Sequence, residues 1–220
     1  EGYFKKITPQ SLRMSGEQKL KEGDEVTQTV ETTTGAHLLF FTNQGQVYKS
    51  RATEFEDTKA SVLGDYLPQR LGMDPGELPV YMAVTMDYKG YMLFAFENGK
   101  IAKVELSSYA TKTNRKKLIG AYSIKSPLVY IEAIPDDAEY LCATTASRML
   151  IVNTAMVAPK AARDTQGVQA LSMKSTVRLL WVRPYQEGQV ENPHRLRTKA
   201  LPAAGALVKT GVELGEQLTL

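Results

Sequence analysis

The runs "HLLFFTN", "YMLFAFE" and "EYLCATT" are almost continuously apolar, and each ends in a polar turn before a second strand begins. At those turns stand Gly45 in "NQGQVYK", Gly99 in "ENGKIAK" and Ser147 in "TASRMLI", while "EGYFKK" at the start of the chain repeats the phrase from Gly2. Two residues past each turn position lies an apolar residue: Phe4, Val47, Ile101 or Met149. Four residues past it lies Lys6, Lys49 or Lys103, and in the fourth copy Ile151. Successive turn positions are 43, 54 and 48 residues apart, a period that points to a propeller-like array.

The remainder of each unit repeats too. A second glycine follows the strand at Gly23, Gly64, Gly120 and Gly167. A further β-rich run comes after it: "EVTQTVETT", "LPVYMAVTM", "PLVYIEAI" and "VRLLWVRP". Each unit therefore reads strand, glycine turn, strand, polar loop, strand, with β-branched and aromatic residues in the runs and Pro and Gly in the gaps. No amphipathic helix stands out. The expectation is an all-β single domain over residues 1–220, with about four to five blades of antiparallel strands. Residues 186–220 do not fit a full further unit and predict a closing strand or tail. A strand near Ala206–Lys209 is expected to pair with the opening strand and close the ring. The first residues, Glu-Gly-Tyr, read as a strand entered mid-stride, so the chain is expected to be a piece of a longer polypeptide.

Composition narrows the functional classes. Hydrophobic residues make up 43% and charged residues 23%, as in ordinary globular domains. A single cysteine, Cys142, excludes an internal disulfide and predicts a buried small hydrophobe in a reducing compartment. No apolar run reaches the roughly 20 residues of a membrane helix. A net charge of +3 is compatible with nucleic acid without demanding it.

The repeated "GYFKK", "GQVYK" and "GKIAK", with "LLFFTNQGQVYK" between them, resemble the C-terminal domain of the A subunit of bacterial type IIA topoisomerases, DNA gyrase and topoisomerase IV, over residues 1 to about 183. The resemblance implies a β-pinwheel, in which neighbouring blades exchange strands. It also implies binding of duplex DNA, which the domain bends or wraps for the cleavage and ATPase parts of the enzyme. The protein partners are then the remainder of the A subunit together with the ATPase B subunit. The parent enzyme hydrolyses ATP, this domain is non-catalytic and needs no cofactor, and its place is the bacterial cytoplasm beside the nucleoid. Gyrase subunits carry a Gln-Arg-Arg-Gly-Gly-Arg-Lys-Gly box after the first such strand. The loop at that place here, "RMSGEQKLKEGD" (residues 13–24), keeps Gln18, Lys19, Lys21 and Gly23 but lacks the Arg-Arg-Gly-Gly core. That departure favours bending of the topoisomerase IV kind over gyrase-type wrapping.

DNA recognition of this kind needs cations along an edge, because neutralised phosphates release their counterions whatever the base sequence. The residues expected to supply them are Lys5, Lys6, Arg13, Lys19 and Lys21 in the first unit, and Lys49 and Arg51 in the second. Lys103 in the third follows, with Lys112, Arg115, Lys116 and Lys117 in "TKTNRKKL" and Lys160 and Arg163 beyond. Each of these lysines could instead guard a strand edge or cover apolar surface with its stem. The loop "EFEDTKASVLGD" is net acidic and is expected to contribute little.

Catalytic and metal sites are not expected. Two histidines, His37 and His194, are too few for a His-based metal site, and there is no cysteine pair. Asp136-Asp137 after Pro135, like Asp65 and Asp74, reads as turn chemistry, and Trp181 as core. There is no phosphate-binding Gly-Lys-Ser/Thr loop and no nucleophile elbow. The competing class is a propeller-like protein-interaction module, which the modest charge and the acidic second loop would suit.

Overall fold

The computed structural model describes residues 1–209 apart from residues 15 and 114. Its strands are β1 (Tyr3–Phe4), β2 (His37–Thr42), β3 (Val47–Arg51), β4 (Asp65–Tyr66), β5 (Pro79–Thr85), β6 (Tyr91–Phe96) and β7 (Lys100–Glu105). They continue with β8 (Lys117–Leu118), β9 (Leu128–Ile134), β10 (Glu139–Thr144), β11 (Arg148–Asn153), β12 (Val168–Gln169), β13 (Leu179–Pro184) and β14 (Ala206–Leu207). Helix is confined to short turns: α1 (Pro9–Met14), α2 (Leu67–Arg70), α3 (Pro193–Leu196) and 3-10 turns at Ala52–Glu54, Leu106–Tyr109 and Thr154–Met156. Among the described residues these strands make three four-stranded antiparallel sheets, β5-β2-β3-β8, β12-β7-β6-β9 and β13-β10-β11-β14, and a two-stranded sheet, β1-β4. The fold is all-β and of the pinwheel type.

Each hairpin forms because its apolar run is buried on both faces. β2, β6 and β10 are buried along nearly their whole lengths, which is why they read as continuous hydrophobic segments instead of alternating ones. Their pairings with β5, β9 and β13 slip register at one equivalent place, between Phe41 and Thr42, Ala95 and Phe96, and Ala143 and Thr144. The turn that follows needs a left-handed residue. Gly45 and Gly99 adopt it freely, and Ser147 is held there at φ +56°.

The fourth strand of each sheet comes from later in the chain: β8 adds to β3 and β12 to β7 from beyond the next hairpin, as β4 adds to β1 in the two-stranded sheet, while β14 adds to β11 from beyond β13 and α3. This is the strand exchange implied by the family resemblance. A glycine opens three of the exchanged strands, β4, β12 and β14. At Gly167 an added Cβ would lie 2.1 Å from the Ile101 carbonyl oxygen, at Gly64 2.3 Å from that of Phe4, and at Gly205 2.6 Å from that of Met149. At Gly64 and Gly167 the second glycine of the repeat is therefore a close-approach residue, and Gly205 takes the same part before β14. Gly23, placed first in that set by the sequence, does not belong to it, because its surroundings are open.

Two compact units result: Glu1–Tyr88 with Thr111–Ala121, and Lys89–Ala110 with Tyr122 onward. The first packs Leu38, Phe40, Tyr48, Phe55 and Leu67, with Phe4 edge-on to Phe40 at 5.5 Å. The second packs Leu93, Ile134, Cys142, Leu150, Ala170 and Leu171 between its two sheets, and Leu141, Met149, Ile151 and Trp181 on the outer face of the last.

Two expectations fail. "EVTQTVETT" forms no strand: it lies exposed, and its Gln28 side-chain amide joins β5, donating to the Met82 carbonyl (3.1 Å) and accepting from its N–H (2.8 Å). The strand near Ala206–Lys209 does not pair with the opening one; β14 adds to β11, while β1 takes β4. The pairing is local because the trailing segment repeats the exchange of the units before it. Thr198 donates its N–H to the Ile151 carbonyl (3.0 Å) as Lys160 does to that of Lys103 (2.8 Å) and Thr58 to that of Lys6 (2.7 Å). Residues 210–220 of the expected tail lie outside the described ones.

Candidate nucleic-acid interface

The recurring lysine has different surroundings in each unit. Lys103, on β7, is only 3% exposed. Its Nζ donates to Asp137 Oδ1 (2.9 Å) and to the Thr154 carbonyl (3.0 Å), and lies 5.0 Å from the centre of the Tyr91 ring. Thr154 Oγ1 donates to the same carboxylate oxygen at 2.7 Å and accepts from the Ala138 N–H at 3.0 Å. This network binds the sheet of β7 to the sheet of β10 and β11. The expectation that Lys103 offers its charge to a ligand is thereby corrected: the ammonium is enclosed and committed to a carboxylate and a carbonyl.

Lys6 makes the matching contact in its own unit, donating to the Ala52 carbonyl at 3.0 Å, with Asp57 Oδ1 3.4 Å away. Ala52 and Thr154 each open the 3-10 turn that follows a hairpin, so the lysine of one repeat reaches the same carbonyl of the next. Lys5 is likewise tied down, donating to Gln18 Oε1 (3.0 Å), the Lys19 carbonyl (2.7 Å) and the Ala60 carbonyl (3.0 Å), and burial lowers its pKa. Lys21 pairs with Glu1 at 2.7 Å, and that hydrogen bond raises the lysine's pKa.

A different picture holds around β3. Lys49 donates to Thr111 Oγ1 at 3.0 Å and lies 5.7 Å from the Tyr88 ring centre, while Arg51 is exposed at the strand's end. The exchanged strand β8 brings the loop before it to this edge, with the Lys49 N–H donating to the Lys116 carbonyl at 2.6 Å. Lys112, Arg115, Lys116 and Lys117 are all exposed there. Lys117 meets Asp74 at 3.1 Å, a hydrogen bond that raises the lysine's pKa, and Lys116 lies 3.7 Å from Glu54. Two segments about sixty residues apart in the chain thus form one basic neighbourhood. The effect is felt by His37, which faces Arg51 across the ladder. Burial, then the charges of Arg51 and Lys49, lower its pKa and hold the ring neutral near pH 7.

Beneath this edge lies a buried carboxylate, Glu77, 2% exposed. It accepts from Thr42 Oγ1 (2.5 Å), Gln46 Nε2 (2.8 Å), Tyr48 OH (2.6 Å) and the Asp74 N–H (2.9 Å). Burial, then this carboxylate, pushes the Tyr48 hydroxyl up to about 12. With every acceptor direction used, Glu77 is a structural anchor for the hairpin turn and for the loop bearing Asp74.

Of the remaining expected cations, Arg13, Lys19 and Lys160 are exposed. Arg163 is half-buried and donates from Nη1 to the Ser108 carbonyl at 3.0 Å. Cys142 is fully buried, and burial pushes its thiol up to about 12. Among the described residues no group of three or more His, Cys, Asp or Glu could hold a metal ion, and no helix is long and apolar enough to cross a membrane.

Known proteins share this architecture. Residues 36–61, the β2–β3 hairpin with its 3-10 turn, match the family model described as DNA gyrase C-terminal domain, beta-propeller. The DNA gyrase A subunit of Streptomyces coelicolor is 34% identical over 93 residues, which is 41% of this chain and 11% of that one. The probable chloroplastic/mitochondrial DNA gyrase A subunit of Oryza sativa is 25% identical over 188 residues, 79% of this chain and 19% of that one. The crystal structure of the C-terminal domain of DNA topoisomerase IV superposes with a TM-score of 0.73, at 23% identity, covering 86% of this chain and 59% of that one. The structure of the E. coli ParC C-terminal domain gives 0.66 at 17% identity, covering 88% and 84%. The chain is a β-pinwheel similar to the C-terminal domains of gyrase A and topoisomerase IV. The chain spans between about a tenth and a fifth of the length of the gyrase subunits it matches.

Within this pinwheel domain, sequence reasoning missed Glu77. A signal was present: Thr42, Gln46 and Tyr48 are polar groups buried in an otherwise apolar hairpin, and such groups need a shared partner.

Proposed function

We propose that this domain binds duplex DNA without sequence preference through its exposed cations and bends it, presenting a segment to the cleavage and ATPase parts of a type IIA topoisomerase. The observation that carries the reading is the basic neighbourhood of the first unit, where Lys49, Arg51, Lys112, Arg115 and Lys116 gather about one sheet edge. Cations spread over a β surface with no convergent catalytic groups suit phosphate neutralisation and little else. Arg13, Lys19 and Lys160 extend the set. Lys103 is outside it, and Lys5, Lys6, Lys21, Lys49, Lys116 and Lys117 start from internal partners that DNA would have to displace.

Bending is favoured over gyrase-type wrapping by the loop at residues 13–24. It lacks the Arg-Arg-Gly-Gly core, and its Gln18 and Lys19 are folded onto Lys5 and Ala60. The partners are duplex DNA, the rest of the A subunit, and the ATPase B subunit, in the bacterial cytoplasm at the nucleoid.

The test is affinity for random-sequence duplex across a salt series. Replacing Lys112, Arg115 and Lys116 by alanine should reduce the slope of log affinity against log salt by about one per cation lost. No binding at low salt would overturn the reading and favour a protein partner for the acidic loop instead.

A further inference from the structure

The lysine that recurs through the units is committed, at Lys103, to joining two blades. We propose that Lys103 is a positioning residue for DNA bending: it fixes the mutual rotation of the β7 and β11 sheets, and so the direction in which their cations face a phosphate backbone. The inference rests on the DNA-binding reading above and goes beyond it, because it assigns a DNA-related role to a residue that cannot itself reach DNA.

Three observations carry it. First, the contact is specified from both sides. The ammonium meets a backbone carbonyl at the first residue of a 3-10 turn and a carboxylate in the turn before β10, so neither end can slide without leaving a charge unpaired. Second, the strut is wired to an exposed cation. Lys103 accepts the Lys160 N–H through its own carbonyl (2.8 Å), and Lys160 returns its carbonyl to the Glu105 N–H (2.9 Å). A shift of β7 therefore carries Lys160 with it. Third, the pattern stops where the repeated hairpins stop. The fourth copy has Ile151 in place of the lysine, and the segment beyond offers buried Leu196 of α3 in the same apolar cluster. A lysine is thus kept where another hairpin follows and replaced where none does. Apolar packing alone would hold two elements together, as it does at Ile151. An ion pair whose ammonium is enclosed adds a defined angle.

The experiment compares the wild-type domain with Lys103→Met, Lys103→Arg, Asp137→Asn and Leu150→Ala, the last a core truncation in the same interblade cluster. Affinity across a salt series and energy transfer between the ends of a doubly labelled duplex are read for each. Lys103→Met should keep the salt slope within about one unit of wild type, since no exposed cation is lost. It should lose the energy transfer gained on binding, and Lys103→Arg should recover it. Leu150→Ala should bend DNA like wild type, which separates positioning from a general loss of stability. Should Lys103→Met fail to fold, Asp137→Asn decides, because it removes the charge partner and leaves the carbonyl contact. A folded Lys103→Met or Asp137→Asn that bends DNA as the wild type does overturns the proposal. A wild-type domain that binds no DNA overturns the reading beneath it instead.

Discussion

Lys49 and Lys103 occupy the same place in the repeat, four residues after a turn glycine, and have opposite fates. Lys103 finds a carboxylate, a carbonyl and an aromatic face within reach and is enclosed by them. Lys49 donates to a hydroxyl, lies near a ring and beside Arg51, and stays half-buried at a sheet edge. A repeat therefore sets where a side chain starts, and the neighbouring loop decides what its charge does. Asp137, which receives the Lys103 ammonium, stands 34 residues away in a turn whose sequence advertises only a turn.

The contrast should be largest in stability. Lys103→Met takes the ammonium away from the Asp137 carboxylate and the Thr154 carbonyl, and should cost about 2 kcal/mol in urea unfolding, less than a fully buried pair because Asp137 is 37% exposed and keeps its Thr154 Oγ1 donor. Lys49→Met should cost less, about 1 kcal/mol, for the loss of the hydrogen bond to Thr111. Equal losses would mean the two lysines share one role. For DNA affinity the order should reverse, with Lys49→Met lowering the salt slope and Lys103→Met leaving it alone.

Acid should sharpen the same comparison. The Lys103 hydrogen bond holds the Asp137 carboxyl below its ordinary pKa. That stabilisation is present above the unfolded carboxyl's pKa, near about 4, and is lost as pH falls through the lower folded value. Asp137→Asn should flatten the acid limb of a stability profile, and an unchanged limb would remove the ion pair from the account. His37 shifts in the same direction for a different reason. Its pKa lies below the ordinary value because burial and the charges of Arg51 and Lys49 disfavour its proton, so bound phosphate should raise it in a titration followed by NMR.

The smallest expected effect is at Ser147, held at φ +56° where its sister units have glycine. Ser147→Gly relieves a left-handed strain and frees the unfolded chain, for a net gain of about 0.5 kcal/mol in the same urea unfolding measurement.

The hairpins were legible because two-sided burial writes an apolar run and a left-handed turn writes a glycine, and both signals are local. The exchanged strands were not. β4, β8, β12 and β14 are two residues long and exist only because another segment's carbonyls await them. "EVTQTVETT" had strand composition and no ladder to join. For the interface, the cations could be counted in sequence, but the two things that sort them, an internal acceptor or a second basic segment alongside, come from folding.

The exchange of strands also makes the chain a splice in which covalent order and sheet membership run out of step. One proteolytic cut between Met156 and Gly167 would separate β7 from the β12 that completes its sheet. The two fragments should then travel together on a native gel and part only in denaturant. Growth of such an array by duplication faces the same offset, since a copied segment that ends with its own hairpin would leave the previous sheet one strand short.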